Sequence, residues 1–174
     1  MNIQIQFAFP YQGFLQQMVW NMPIEKMKDY CFTGVYTWES ITRLHLTSSC
    51  QYDIPLVIIN NGQIIAYFNF QRYATHQTYI YNAEMIVFSN LRIVMKEFNK
   101  ILQILKNSFG IKTITFGTIE KSVADKIWQN ICEPYSTHTF VGLIDNIEKI
   151  GILQNACLDM QQSIRNQNLW QIIL

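Results

Sequence analysis

The sequence predicts one α/β domain of the α+β kind, and three observations carry that reading. A hairpin over 54–72 runs into a long strand over 78–88. An amphipathic helix over 91–109 follows and stops at Gly110. A strand (112–118), a second helix (120–131) and a last strand (136–145) then alternate, as in a sheet with helices packed on it.

Each element has its own signal. Over 3–9, Ile3, Ile5, Phe7 and Phe9 alternate with Gln4, Gln6 and Ala8, the period-two pattern of a half-buried strand. Pro10 closes it and Gly13 permits a turn. Residues 14–20 and 24–30 carry apolar side chains at helical spacing, with Pro23 at the start of the second run. Residues 33–52 read weakly, with a short strand over 41–46. In the hairpin, two apolar runs flank Asn60-Asn61-Gly62, and Asn-Gly suits the positive φ angles of a tight type I′ turn. Both faces of the 78–88 strand are largely apolar, as a central strand covered on two sides requires. In the helix, Leu91, Val94, Met95, Phe98, Ile101, Leu102, Leu105 and Phe109 make one stripe, and Gly110 is the expected stop. Val123, Ala124, Ile127, Trp128 and Ile131 give the second helix its core face. The tail, 146–174, reads as helix over 150–158 and onward to Trp170. No linker or repeat interrupts the 174 residues, so 1–174 is read as one domain. A chain of that length buries roughly 70% of the surface exposed when unfolded, enough to dispense with staples.

Composition narrows the function classes. Charged residues are only 14%, against a usual ~25%, while 14 Asn and 16 Gln supply much of the polarity. Two causes fit: A/T-rich coding, as in a low-GC bacterium or its phage, or an assembly subunit whose weakly charged faces are covered by neighbours. Net charge is +1 with no basic run, which argues against a nucleic-acid partner. Cys31, Cys50, Cys132 and Cys157 share no CxxC spacing, and His45, His76 and His138 are dispersed. A metal centre or disulfide framework is therefore not expected, and reduced thiols in the cytoplasm are. No apolar run approaches ~18 residues and no basic leader opens the chain, so neither a membrane span nor a signal peptide is expected. Tyr67, Phe68, Phe70 and Tyr73 cluster on the hairpin and read as core and rim, not as a base-stacking platform.

The run 54–145 resembles the core of the GCN5-related N-acetyltransferases. That resemblance implies a mixed, mostly antiparallel central sheet flanked by helices. It implies acetyl-CoA as cofactor, bound where the central helix meets the long strand, and an amine as acceptor. The family opens that helix with Arg or Gln, two residues, Gly, one residue, then Gly or Ala. Counting back from Gly110 places this pattern on Phe88-Ser89-Asn90-Leu91-Arg92-Ile93, with Phe88, Leu91 and Ile93 at its three defining positions. Glycines there let backbone approach a pyrophosphate at a helix N-terminus. The resemblance assigns cofactor binding to Val87, Phe88, Ser89, Asn90, Arg92 and Ile93, with Ser89 or Asn90 as helix cap and Arg92 supplying charge. N–H groups from Met85 to Phe88, at a bulge, would polarise the thioester carbonyl.

The second helix of the family matches on Lys121–Trp128, where Ala124 fits and Trp128 takes the place of a tyrosine that often protonates the departing thiolate. An indole N–H donates but has no useful acid pKa. Glu133-Pro134-Tyr135 stands in the region of the family's Gly-Phe turn. Glu84 is the one carboxylate inside the central strand and the candidate base, directly or through water. Its other reading is a cleft-mouth carboxylate, or one paired with Arg72 or Lys112. Two functions follow. One is acetyl transfer from acetyl-CoA to an amine. The other is a catalytically degenerate member of the fold serving as a binding or structural subunit, such as a phage virion component or a host-interacting factor. In active members the strands at 78–88 and 112–118 part like a V to admit the pantetheine arm, and Phe88, Leu91 or Trp128 would plug that V in a scaffold.

Overall fold

The computed structural model describes residues 2–23, 52–74, 77–119, 121–132, 138–144 and 167–174. Its elements are β1 (Ile3–Phe7), a 3-10 turn (Phe9–Tyr11), α1 (Gln12–Trp20), β2 (Ile54–Asn60), β3 (Gln63–Ala74), β4 (Gln77–Val87), α2 (Leu91–Phe109), β5 (Thr113–Ile119), α3 (Val123–Cys132), β6 (His138–Ile144) and β7 (Gln167–Ile173). The strands form one sheet in the order β1-β2-β3-β4-β5-β7-β6. Every neighbouring pair is antiparallel except β4 with β5. This is the mixed, mostly antiparallel sheet expected. The helix expected over 24–30, the strand over 41–46, the turn at 133–135 and the helix over 150–158 lie outside the described residues.

Two elements differ from expectation. The first strand ends at Phe7, because Pro10 and a Tyr11 N–H bond to Ala8 O (2.8 Å) close a 3-10 turn. Phe9 therefore leaves the strand alternation and is exposed. The tail around Trp170 is a strand, not a helix. Gln167–Ile173 inserts between β5 and β6 and pairs along its whole length with β5. Its alternation is visible afterwards: Trp170 and Ile172 are buried, Gln171 is half-buried and Ile173 exposed.

The hairpin turn forms as the Asn-Gly signal requires, with φ of 49° at Asn61 and 82° at Gly62. The sheet then carries a core on each face. Ile58, Phe68, Phe70, Phe98, Ile101, Leu105, Phe116, Trp128 and Trp170 pack beneath α2 and α3. Leu15, Val19, Val57, Tyr67 and Ile86 pack beneath α1. Tyr67, Phe68 and Phe70 are thus core, as read. The α2 stripe is buried from Val94 to Leu105, while Leu91 and Phe109 at its ends are exposed. The stripe also includes Glu97, whose buried carboxylate is paired with the Lys100 ammonium at 2.6 Å. Among the described residues no helix is long and apolar enough to cross a membrane.

Gly110 ends α2 in the left-handed region (φ 66°), and its N–H reaches back to Lys106 O at 3.1 Å, the single bond of an αL cap. A Cβ built there meets nothing within 4 Å, so the demand for glycine is a demand on backbone alone. Gly110→Ala is expected to cost about 1–2 kcal/mol and lower Tm by roughly 2–8 °C, measured by thermal unfolding followed by circular dichroism. An unchanged Tm would show that the cap is not stabilising.

A second local device went unread in the sequence. Ser122-Val123-Ala124-Asp125 is a capping box: the Asp125 N–H donates to Ser122 Oγ at 3.1 Å and the Lys121 N–H to Asp125 Oδ2 at 3.1 Å. The other Asp125 oxygen accepts from the Thr118 hydroxyl at 2.6 Å, and that hydroxyl accepts from the Trp170 indole at 2.8 Å. One buried chain of hydrogen bonds therefore ties α3, β5 and β7 together.

Candidate active site

The site begins where two neighbouring strands stop pairing. β4 and β5 pair only at Ile80–Thr113, Tyr81–Ile114 and Asn82–Thr115. β4 continues to Val87 and β5 to Ile119 without further pairing to each other, while their outer edges stay bound to β3 and β7. The two strands therefore part beyond Asn82. Backbone direction alternates along β4: Tyr79 O accepts from the Lys112 N–H on the β5 side, and the Phe88 N–H turns to Ile65 O on the β3 side. The N–H groups of Met85 and Val87 consequently point toward the parting. Their side chains are half-buried against the core under α2 and α3.

The loop from β4 into α2 is only Phe88-Ser89-Asn90. The N–H groups of Phe88 (2.9 Å) and Ser89 (3.2 Å) both converge on Ile65 O of β3. Within the strands the β3–β4 register runs without a shift from Ala66–Val87 to Arg72–Tyr81. The Ile65 contact consumes both loop donors, so neither backbone N–H faces a phosphate. Asn90 stands at the cap position in the left-handed region (φ 53°) and its side chain makes no capping bond. Capping by Ser89 or Asn90 is thus corrected at Asn90. The Ile93 N–H is also used, donating to Asn90 O at 2.8 Å. The first-turn donors with no acceptor inside the helix are those of Leu91 and Arg92. Leu91 was not among the binding residues expected, because its side chain, not its backbone, drew the reading.

These groups suit an anion. The helix is 19 residues long, its first turn holds no acid, and its positive dipole end adds to the N–H groups. Arg92 is exposed beside them, and Lys96 lies one turn on, also exposed. The bulky residues at the family's small positions do not fill the space: the Leu91 side chain is turned to solvent and Ile93 packs into the core. Phe88 packs on the opposite face, against the cluster under α1. Two of the three side chains that could plug the V therefore lie elsewhere. The third, Trp128, is at the root of the parting, its ring centroid 4.3 Å from Phe116 and 5.1 Å from Phe98. It is 5% exposed and acts as floor.

Glu84 is half-buried on the other face of β4, the face under α1. In the antiparallel register it stands directly across from Asn69, and Tyr67 across from Ile86. Burial, followed by the negative charges of Asp53 and Glu84, pushes the Tyr67 phenol well above its ordinary value near 10, so it stays protonated. Glu84, Asn69, Tyr67 and buried Asp53 thus form one polar group on an otherwise apolar sheet face. The Lys112 ammonium lies 5.3 Å from the Tyr79 ring centroid. The Arg72 guanidinium sits over the Tyr52 ring at 4.6 Å.

No protein-family model matches the chain, and no curated protein matches it in sequence. Solved structures match it almost end to end. An acetyltransferase of the GNAT family from Bacillus anthracis aligns at 12% identity with a TM-score of 0.64, over 99% of this chain and 95% of that one. The microcin C7 self-immunity acetyltransferase, solved with acetyl-CoA and AMP, aligns at 15% identity with a TM-score of 0.66, over 99% and 92%. The spermidine N-acetyltransferase from Vibrio cholerae, solved with CoA and spermine, aligns at 9% identity with a TM-score of 0.65, over 98% and 95%. Identities this low carry architecture and not chemistry. The chain has the fold of the GCN5-related N-acetyltransferases.

Proposed function

We propose that the protein is an N-acetyltransferase that moves an acetyl group from acetyl-CoA to an amine. The observation that carries this reading is the parting of β4 and β5 beside the open N-terminus of α2. The solved relatives of the same fold that hold acetyl-CoA or CoA support it.

The residues take definite roles in this reading. The N–H groups of Leu91 and Arg92, with the Arg92 guanidinium, bind pyrophosphate at the helix end. Asn90, Ser89 and Phe88 shape the approach, and Ile93 anchors the first turn in the core. The N–H group of Met85 polarises the acyl oxygen, with Val87 beside it on the wall of the parting. Glu84, across the strand, takes the proton of the attacking amine. When bound, acetyl-CoA supplies an activated acyl carbon, so that a C–N bond forms as the C–S bond breaks. A thiol has a pKa near 8.5, so the leaving sulfur departs as thiolate and takes a proton from solvent without an acid on α3. That is why tryptophan can stand at position 128.

Isothermal calorimetry with acetyl-CoA tests the reading. The wild-type protein is expected to bind, and Arg92→Glu to weaken binding by about tenfold or more, since a charge-assisted contact is worth about 1.5–3 kcal/mol. Absence of heat at millimolar acetyl-CoA with wild-type protein would overturn acetyl transfer as the function.

A further inference from the structure

β1 ends the sheet with a bare edge. Asn2 O accepts from the Asn61 N–H, and the Ala8 N–H donates to Pro55 O, so the even positions of β1 turn their backbone groups to β2. The N–H and C=O groups of Ile3, Ile5 and Phe7 therefore point away from the sheet. Among the described residues nothing pairs with them. Sheet edges are ordinarily blunted by charge, proline or a bulge. β1 holds no charged residue and no proline, and it runs along β2 without a register shift. Exposed rings gather at the end of the same strand. Phe7 stacks on Phe9 at 5.9 Å between centroids and meets Phe109 of α2 edge-on at 6.2 Å. Phe7 is 46% exposed, Phe9 54% and Phe109 40%.

We propose that β1 is the interface of a two-fold symmetric dimer of this chain, in which two copies of the strand pair antiparallel about an axis at Ile5. The strand is complementary to itself in that register. Ile3 falls opposite the partner's Phe7, Ile5 opposite the partner's Ile5, and Gln4 opposite the partner's Gln6. The outward groups of Ile3, Ile5 and Phe7 then meet outward groups, and each such pair exchanges both of its N–H···O bonds. On the α2 side, where Ile3 and Ile5 already pack against the core, apolar side chains meet apolar side chains. On the α1 side amide meets amide. The Gln6 amide N–H donates to Gln4 Oε1 at 2.8 Å within each copy, which leaves the Gln4 N–H groups for the partner's Gln6 Oε1. A slip by one residue sets glutamine against isoleucine and turns the backbone groups out of line. The area is sufficient. Three phenylalanines about half exposed offer roughly 300 Å² per copy, or about 600 Å² for the pair. That is about half of the ~1,200 Å² a specific interface needs, and the paired edges and their isoleucines supply the rest. The inference does not use the acetyl-transfer reading, since β2 and β3 separate β1 from the parting beside β4.

Sedimentation equilibrium of the full chain is the test. At micromolar concentration the wild-type protein is expected at twice its 20.5 kDa chain mass. Ile5→Pro is expected at the monomer mass with the circular dichroism of wild type, because the N–H it removes points outward and the ladder to β2 keeps its bonds. Phe7→Lys changes an exposed side chain and sets an ammonium against the partner's Ile3, so its dimer dissociation constant is expected to rise about tenfold or more. Should Ile5→Pro fail to fold, Phe7→Lys alone decides. A wild-type protein that sediments as a monomer overturns the proposal and leaves the edge to an extended segment of another protein. A dimer that either folded variant leaves as tight as wild type also overturns it, by placing the interface elsewhere on the surface.

Discussion

Glu84→Gln is expected to lower kcat/KM for the proposed acetyl transfer by about 10²- to 10⁴-fold, the usual worth of a positioned general base. The substitution keeps the size and shape of the side chain and removes its charge. β4 is held by β3 along its length, so the backbone around position 84 does not move. Acetyl-CoA binding is expected to be unchanged, because Glu84 faces α1 while the donors of α2 and of Met85 address the parting. A base is told from a mere contact by the split between two readouts: turnover is lost while acetyl-CoA affinity is kept. Initial rates, paired with calorimetry for acetyl-CoA, make the measurement. A variant that turns over like wild type would remove Glu84 from the chemistry.

The legible parts of this fold are those decided by neighbours in sequence. The α2 stripe, the Asn61-Gly62 turn and the Gly110 stop each follow from a few adjacent residues, and each formed as read. β7 was illegible for the opposite reason. Gln167–Ile173 becomes a strand because β5 and β6 stand ready on either side, and β5 is distant in sequence, with Thr113 paired to Ile173 and Ile119 to Gln167. An amide-rich segment with weak local preference takes its structure from such partners. The site divides the same way. Glu84 was visible because a lone carboxylate in an apolar strand stands out. The backbone donors left without a helix acceptor, those of Leu91 and Arg92, follow from where the helix starts, which side-chain motifs do not encode. Ser122–Asp125 carried a capping signal that could have been found.

Trp128→Ala is expected to be the most destabilising of these changes, at about 3–5 kcal/mol and a Tm lower by roughly 6–20 °C. The indole joins three elements at once. It packs edge-on to Phe98 of α2, tilts against Phe116 of β5, and belongs to α3, while Phe98 stacks on Phe68 of β3 at 5.7 Å. Deleting it opens a cavity at the root of the parting, where β4 and β5 no longer support each other and the surroundings have little to collapse with. Trp128→Phe keeps an aromatic in that place, so a smaller loss is expected, with catalysis retained. The pair of variants therefore separates packing from proton transfer. If the indole had a chemical role, phenylalanine would abolish turnover in a protein that still melts near the wild-type temperature. If it is floor, turnover follows the folded fraction in both variants, and the rate per folded molecule stays near that of wild type. Thermal melts and initial rates on the same preparations decide between them. The second outcome is expected because a ring only 5% exposed has its contacts with phenylalanines, not with the reacting atoms.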